Sequence, residues 1–120
     1  MTKQAALQKF FESFGLPAYT TNNVPDDVIF PWLTYEARVG NPGDNPISSV
    51  VNVWYRTESE ALPNAKVEEI ANAITDGGIV LPYDGGAIWI QRGEPWCIPL
   101  NDENDSAIKR RQMNVTFNFL

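Results

Sequence analysis

The sequence contains no histidine and a single cysteine, Cys97, among its 120 residues. Without histidine the chain has no His-containing catalytic triad, no imidazole general base and no imidazole metal ligand. A single cysteine forms neither an intrachain disulfide nor a cysteine-based zinc site. These absences exclude much of nucleophilic and metal-dependent chemistry, and they favour a protein whose work is binding, scaffolding or assembly.

Positive charge is also scarce, because 9 Lys and Arg residues stand against 15 Asp and Glu residues, for a net charge of −6. An acidic chain does not attract nucleic acid or an anionic membrane. No apolar run approaches the ~18 residues of a membrane span, and the first residues resemble a helix rather than a signal peptide. The sequence therefore predicts a cytoplasmic protein that binds neither membrane nor specific nucleic-acid sequences.

The apolar pattern predicts two helices and four strands. Apolar residues recur at helical spacing from Ala6 to Phe14, and a second helical stripe begins between Glu60 and Asn64 and ends at about Thr75. Alternating or short apolar segments predict the strands Trp32–Val39, Ile47–Arg56, Ala87–Arg92 and Ile108–Phe119. The order α-β-β-α-β-β indicates an α+β fold, with residues 1–120 as a single domain. We expect a mainly antiparallel sheet of about four strands, with both helices packed on one face.

Two tryptophans fall on the side of this sheet that faces away from the helices. Successive strand side chains point to opposite faces, and Leu33 and Tyr35 belong to the apolar set of their strand. Trp32 and Trp54 then lie on the opposite face, together with the arginine Arg38. Interface cores are enriched in tryptophan and arginine. We therefore expect Trp32, Trp54, Arg38 and Arg56 at a partner interface, although a β-bulge would move either tryptophan into the core.

Two polar loops are further candidate contact segments. The loop Gly40–Pro46 is rich in turn residues, and we expect it to project and be mobile, with Asn41 and Asp44 exposed. The loop Asn101–Asp105 holds the densest carboxylates, including Asp102 and Glu103. It lacks the glycine and ligand spacing of a calcium-binding loop. We therefore interpret these loops as contact surfaces and predict no metal and no cofactor.

Several stretches together resemble a known family. Leu16-Pro17-Ala18-Tyr19 is followed by Val24-Pro25 and then by Phe30-Pro31-Trp32-Leu33-Thr34-Tyr35. With the preceding helix and the later Trp54-Tyr55 pair, this order is similar to the small tail-terminator proteins of long-tailed bacteriophages, also called tail-completion or minor capsid proteins. The resemblance extends over nearly the whole chain.

The resemblance implies a structural protein of the virion tail and neck, assembled in the host cytoplasm. Such a homo-oligomer, expected as a hexameric ring, caps the tail-tube protein and presents a surface to the head–tail connector protein. The family has no catalytic residues to transfer, and an acidic ring lumen lets DNA pass without being held. In this interpretation Phe30-Pro31-Trp32 is a structural strand start.

Two alternatives remain open. The first is a small non-enzymatic protein-binding module, or another head–tail connector component, that uses the tryptophan face of the sheet. The second is an acid/base enzyme, which requires Asp84 or Glu94 in a pocket. Nothing in the spacing of these carboxylates favours catalysis, and Cys97 lies among apolar neighbours that predict an inert buried thiol. We expect no enzymatic activity.

Overall fold

The computed structural model describes all 120 residues as two helices and six strands. In chain order these elements are α1 (Lys3–Glu12), β1 (Ala18–Thr20), β2 (Trp32–Tyr35), β3 (Ile47–Arg56), α2 (Ala61–Ile74), β4 (Ile79–Tyr83), β5 (Gly86–Asn101) and β6 (Ile108–Phe119). The strands form one sheet in the order β1-β2-β3-β6-β5-β4. β1 runs parallel to β2 and every other pair is antiparallel, so the sheet is mixed, and it curls into a half-barrel.

The expected four-stranded sheet with element order α-β-β-α-β-β is therefore wrong. The pattern missed β1 and β4, which are the two edge strands and have only 3 and 5 residues. Pro17 precedes β1 and Pro82 lies inside β4, and proline argues against a central strand but is tolerated at an edge. Segments this short also show too little alternation to identify a strand.

The strand β5 is longer than its pattern predicts. Gly93, Glu94 and Pro95 were expected to end the strand, but pairing with β6 resumes after a register shift between Arg92 and Cys97. Residues 93–96 stand opposite the single β6 residue Asn114. This bulge absorbs the proline without breaking the sheet. The strand β2 is shorter than predicted, since it ends at Tyr35.

The helix α1 packs across the inner face of the sheet. It begins where the Thr2 hydroxyl accepts a hydrogen bond from the Ala5 amide at 3.0 Å. Phe11 is fully buried, and its ring stacks on Tyr35 at 4.6 Å and lies 6.5 Å from the ring of Phe117. α1 also contacts both edge strands, β1 and β4. A single helix therefore bridges the two edges of the curled sheet.

The helix α2 packs beside α1 on the same core. Its buried residues Val67, Ile70 and Ile74 share a single apolar cluster with those of α1. The helix begins at Ala61, whose amide donates to the Ser59 hydroxyl at 3.1 Å, so Asn64 lies inside the helix. Neither helix has the length and apolar character that crossing a membrane requires.

Two cations are buried near the start of α2. Lys109 and Arg111 are 7% and 3% exposed, and both form ion pairs with Glu60. Arg111 also donates to the side-chain oxygen of Asn64 at 3.1 Å, and Lys109 donates to the carbonyl of Ser106. Buried charges need such partners because desolvation disfavours them. The three consecutive cations Lys109, Arg110 and Arg111 are thus divided, since Arg110 points to the opposite face of the sheet.

We expect Phe11→Ala to lower the free energy of unfolding by about 3–5 kcal/mol, because it removes a fully buried aromatic side chain and leaves a cavity. Urea denaturation followed by circular dichroism measures the change. Gln4→Ala, at an exposed position of the same helix, is the control and should stay within about 0.5 kcal/mol of the wild type. Equal effects of both changes would show that α1 does not pack as described.

Candidate functional site

The two strand tryptophans stack on the helix-free face. Trp32 and Trp54 are directly opposite in the β2–β3 register, and their rings are 4.9 Å apart with an interplanar angle of 5°. Their neighbours Leu33 and Val53 point into the core and are fully buried. The alternation of the two strands predicted this placement, and no bulge moves either ring into the core.

Other side chains extend the stack into an outer aromatic cluster, which we define as Tyr19, Phe30, Trp32 and Trp54. The rings of Tyr19 and Phe30 each lie 6.3 Å from that of Trp32. The guanidinium group of Arg110 lies 5.0 Å from the centre of the Trp54 ring, in cation–π geometry. Both tryptophans are therefore half-buried. The exposed apolar area of the pair is smaller than that of two fully exposed indole rings.

The polar ends of the two indoles differ. The Trp54 Nε1–H donates to the hydroxyl of Thr34 at 3.3 Å, and Thr34 is only 3% exposed. The Trp32 Nε1–H is buried and has no hydrogen-bond partner, and neither has the side-chain oxygen of Asn52. Unpartnered buried polar atoms are costly. Trp32 and Asn52 thus each keep a buried polar atom that has no hydrogen-bond partner within the protein.

The acidic loop lies beside this cluster. A cavity of about 310 Å³, which we call the acidic cavity, is lined by Trp54, Arg110, Ile108 and residues 101–104. Asp102 and Glu103 are exposed on its rim, and neither forms an ion pair. The structure therefore brings together Trp54 and two loop residues that were predicted separately.

Arg56, a predicted interface residue, pairs with the acidic loop Asn101–Asp105. Its guanidinium group donates to Asp105 at 2.6 Å and lies 5.2 Å from the ring centre of Phe30. This hydrogen bond, with a second from the Ala107 amide, lowers the pKa of Asp105 below its ordinary value. Arg56 thus connects the loop to the outer aromatic cluster.

The other predicted contact residues lie at the opposite end of β2 and β3. Arg38 pairs with Glu36 at 2.9 Å and contributes to a second cavity of about 360 Å³. The Asn41 side-chain oxygen accepts from Lys3 of α1 at 2.9 Å, and Asp44 accepts from the Asn41 amide at 2.8 Å. The Gly40–Pro46 loop is therefore tied to α1 through Asn41, and Asn41 and Asp44 are exposed as predicted.

The remaining two tryptophans occupy different environments. Trp89 lies on the helix-free face, since its neighbours Ile88 and Ile90 are fully buried, and its Nε1–H donates to the carbonyl of Gly77 at 2.9 Å. Trp96, in the bulge of β5, packs against the core, and its Nε1–H is buried without a partner.

The groups considered for chemistry are dispersed. Asp84 forms an ion pair with the N-terminal ammonium, whereas Glu94 lines a different cavity with Arg38. No group of three or more Cys, Asp and Glu side chains is arranged to hold a metal ion. Partial burial raises the pKa of the Cys97 thiol, although the charge of Arg111 opposes the shift.

A groove between α1 and β4, which we call the α1–β4 groove, has no counterpart in the sequence analysis. It has a volume of about 500 Å³. Its apolar wall consists of Ala6, Phe10, Leu81, Pro82 and Tyr83, and its polar rim of Met1, Lys9, Ser13 and Asp84. The sequence does show a short apolar run at residues 79–81. This run lines the groove only because it forms the strand β4 beside α1, which the sequence pattern did not predict.

The two edges of the sheet are poorly suited to adding a strand from a partner. On β1, the carbonyl of Ala18 accepts from Gln8 and the carbonyl of Thr20 accepts from the Asn23 amide, both at 3.0 Å. On β4, Pro82 has no amide proton to offer a further strand. The amide of Asp84, just after β4, is already used, because it donates to the carbonyl of Met1 at 2.8 Å. Blocked edges of this kind prevent edge-to-edge pairing, so faces, loops and grooves are the available contact surfaces.

Comparison of the chain with protein-family models, with curated proteins and with solved structures finds no match.

The tryptophan stack has a spectroscopic test. Two indoles stacked face to face should give an exciton-coupled signal in far-ultraviolet circular dichroism. We expect Trp32→Phe and Trp54→Phe each to remove this signal, and Trp89→Phe, the control outside the stack, to keep it. An exciton-coupled signal that persists in Trp54→Phe would contradict the stacked arrangement.

Proposed function

We propose that this protein is a phage virion assembly protein that caps the tail tube and joins the tail to the head–tail connector, as a ring that we expect to be hexameric. The observation that carries the proposal is the helix-free face, where the stacked pair Trp32 and Trp54 lies beside the acidic cavity. The resemblance of the strand start Phe30-Pro31-Trp32 to tail-terminator proteins supplies the assignment to the phage tail.

The outer aromatic cluster has the composition of a protein-binding surface. Tryptophan, tyrosine and arginine dominate the few residues that carry most binding energy at interfaces. Here Trp54 and Arg110 are already held together by the cation–π contact. A side chain held in one position before binding loses less conformational entropy on association. The cluster is therefore pre-organised for a partner.

The acidic rim adds charge selectivity. Asp102 and Glu103 are exposed beside the cluster and form no ion pair, although Arg110 lines the same cavity. Unpaired rim charges steer association and select an oppositely charged partner surface. The net charge of −6 also suits a ring through which DNA passes, because like charges repel.

A second candidate is a binding module or other connector component that works without forming a ring. The acidic cavity favours it, because a space of about 310 Å³ with the carboxylates of Asp102 and Glu103 on its rim is large enough for a single side chain of a partner. The same surface serves both candidates, and they differ in whether copies of this chain contact one another.

The double change Asp102→Lys/Glu103→Lys tests the proposal. We expect it to weaken binding to purified tail tubes by about tenfold or more, a loss of about 1.4 kcal/mol or more. Co-sedimentation with tail tubes measures the binding. Glu12→Lys/Glu68→Lys, which makes the same charge change at exposed positions on the two helices, should bind as the wild type does.

Equal weakening by both double variants would mean that overall charge, and not the acidic rim, controls binding. A wild-type protein that does not bind tail tubes and does not change their length would contradict the tail-capping function. Binding only to a connector protein would favour the second candidate.

A further inference from the structure

The α1–β4 groove is an apolar site with one free positive charge. Ala6 and Phe10 line its floor and are buried in the core, while Lys9 is exposed on its rim. The carboxylate of Asp84 is taken by the N-terminal ammonium, so it does not neutralise Lys9. The groove therefore suits an apolar side chain that is accompanied by negative charge.

The segment between β1 and β2, residues 21–31, carries this combination. Ile29 is 80% exposed, more than any other large apolar side chain of the protein. Asp26 and Asp27 lie close by, are exposed, and take part in no ion pair. The segment contains no Lys or Arg. It presents an apolar side chain with two unpaired carboxylates.

One molecule cannot bring these two surfaces together. The segment ends at the start of β2, where Trp32 pairs with Trp54 near the end of β3. The groove lies by Tyr83, at the end of the sheet where Ile88 pairs with Phe119. The segment begins at the other end of the sheet, after Thr20, which pairs with Tyr35, but Ile29 lies within three residues of the start of β2. Ile29 and the groove are thus at opposite ends of the sheet and next to different edge strands.

We infer that the α1–β4 groove receives Ile29 from the 21–31 segment of a second copy of the chain, with Lys9 facing Asp26 and Asp27 of that copy. The contact joins two different surfaces, so it is heterologous and repeats from copy to copy, which closes a ring where the rotation allows it. The inference rests on the proposed ring and names the contact that builds it.

Two variants each remove one side of the contact. Ile29→Asp places a charge on the apolar side chain, and Ser13→Trp fills the groove from an exposed position on its rim. We expect the wild type to form oligomers in size-exclusion chromatography with light scattering, and each variant alone to be monomeric. A mixture of the two variants should form dimers and nothing larger, since one intact contact remains between them.

The matched control is Leu62→Asp, which places the same charge at another exposed apolar position, 54% exposed on α2. It should assemble as the wild type does. Circular dichroism establishes that every variant is folded.

A charge exchange tests the rim. Lys9→Glu and Asp27→Lys should each raise the concentration needed for assembly by about tenfold, and the two changes in one chain should restore it, because every contact then regains an opposite pair.

The inference is overturned by a wild type that stays monomeric at its highest soluble concentration, by variants that assemble as the wild type does, or by a variant mixture that stays monomeric. These failures are distinct from failure of the proposed function. A monomer that still binds tail tubes refutes only this contact, whereas an oligomer built by this contact that ignores tail tubes refutes only the capping function.

Discussion

The packing of the phenylalanines of α1 against the inner face of the sheet is the interaction on which the rest of the structure depends. Phe11 is fully buried between the helix and the sheet, where it stacks on Tyr35 of β2. The same helix reaches β1 through Gln8 and lines a groove with β4 through Phe10. Since β1 and β4 are the opposite edges of the sheet, this one helix holds both edges and maintains the curl.

This arrangement determines which surfaces are left for partners. Both helices pack into one core, so the opposite face of the sheet carries the stacked pair Trp32 and Trp54. The edges are occupied by hydrogen bonds from Gln8, Asn23 and Asp84, and by Pro82. Strand addition is therefore a poor route to assembly. The helix-free face and the α1–β4 groove do not overlap, whereas the 21–31 segment adjoins that face through Phe30.

The sequence predicts the helices and strands that are long enough to show a regular pattern of apolar residues on one face. Strict apolar alternation over residues 113–119 identified the strand β6, and alternation also placed Trp32 and Trp54 on the helix-free face. The two edge strands β1 and β4 were missed because they have only 3 and 5 residues, which is too few to show alternation, and because proline lies next to one and inside the other. The partners of Arg56 and Arg110 were missed because they depend on strand register and loop position. The burial of Lys109 and Arg111 depends on ion pairs with Glu60, which lies about 50 residues earlier in the chain, so the sequence pattern does not reveal it.

The central claim is that α1 spans the curled sheet from edge to edge and thereby leaves the helix-free face to partners. Nuclear Overhauser effects in the isotope-labelled protein test it most directly. The account predicts contacts from the Phe10 ring to the Leu81 methyl groups, and contacts from the Gln8 side-chain amide to Ala18, in the same sample. A helix that shows contacts to only one of the two edge strands would contradict it.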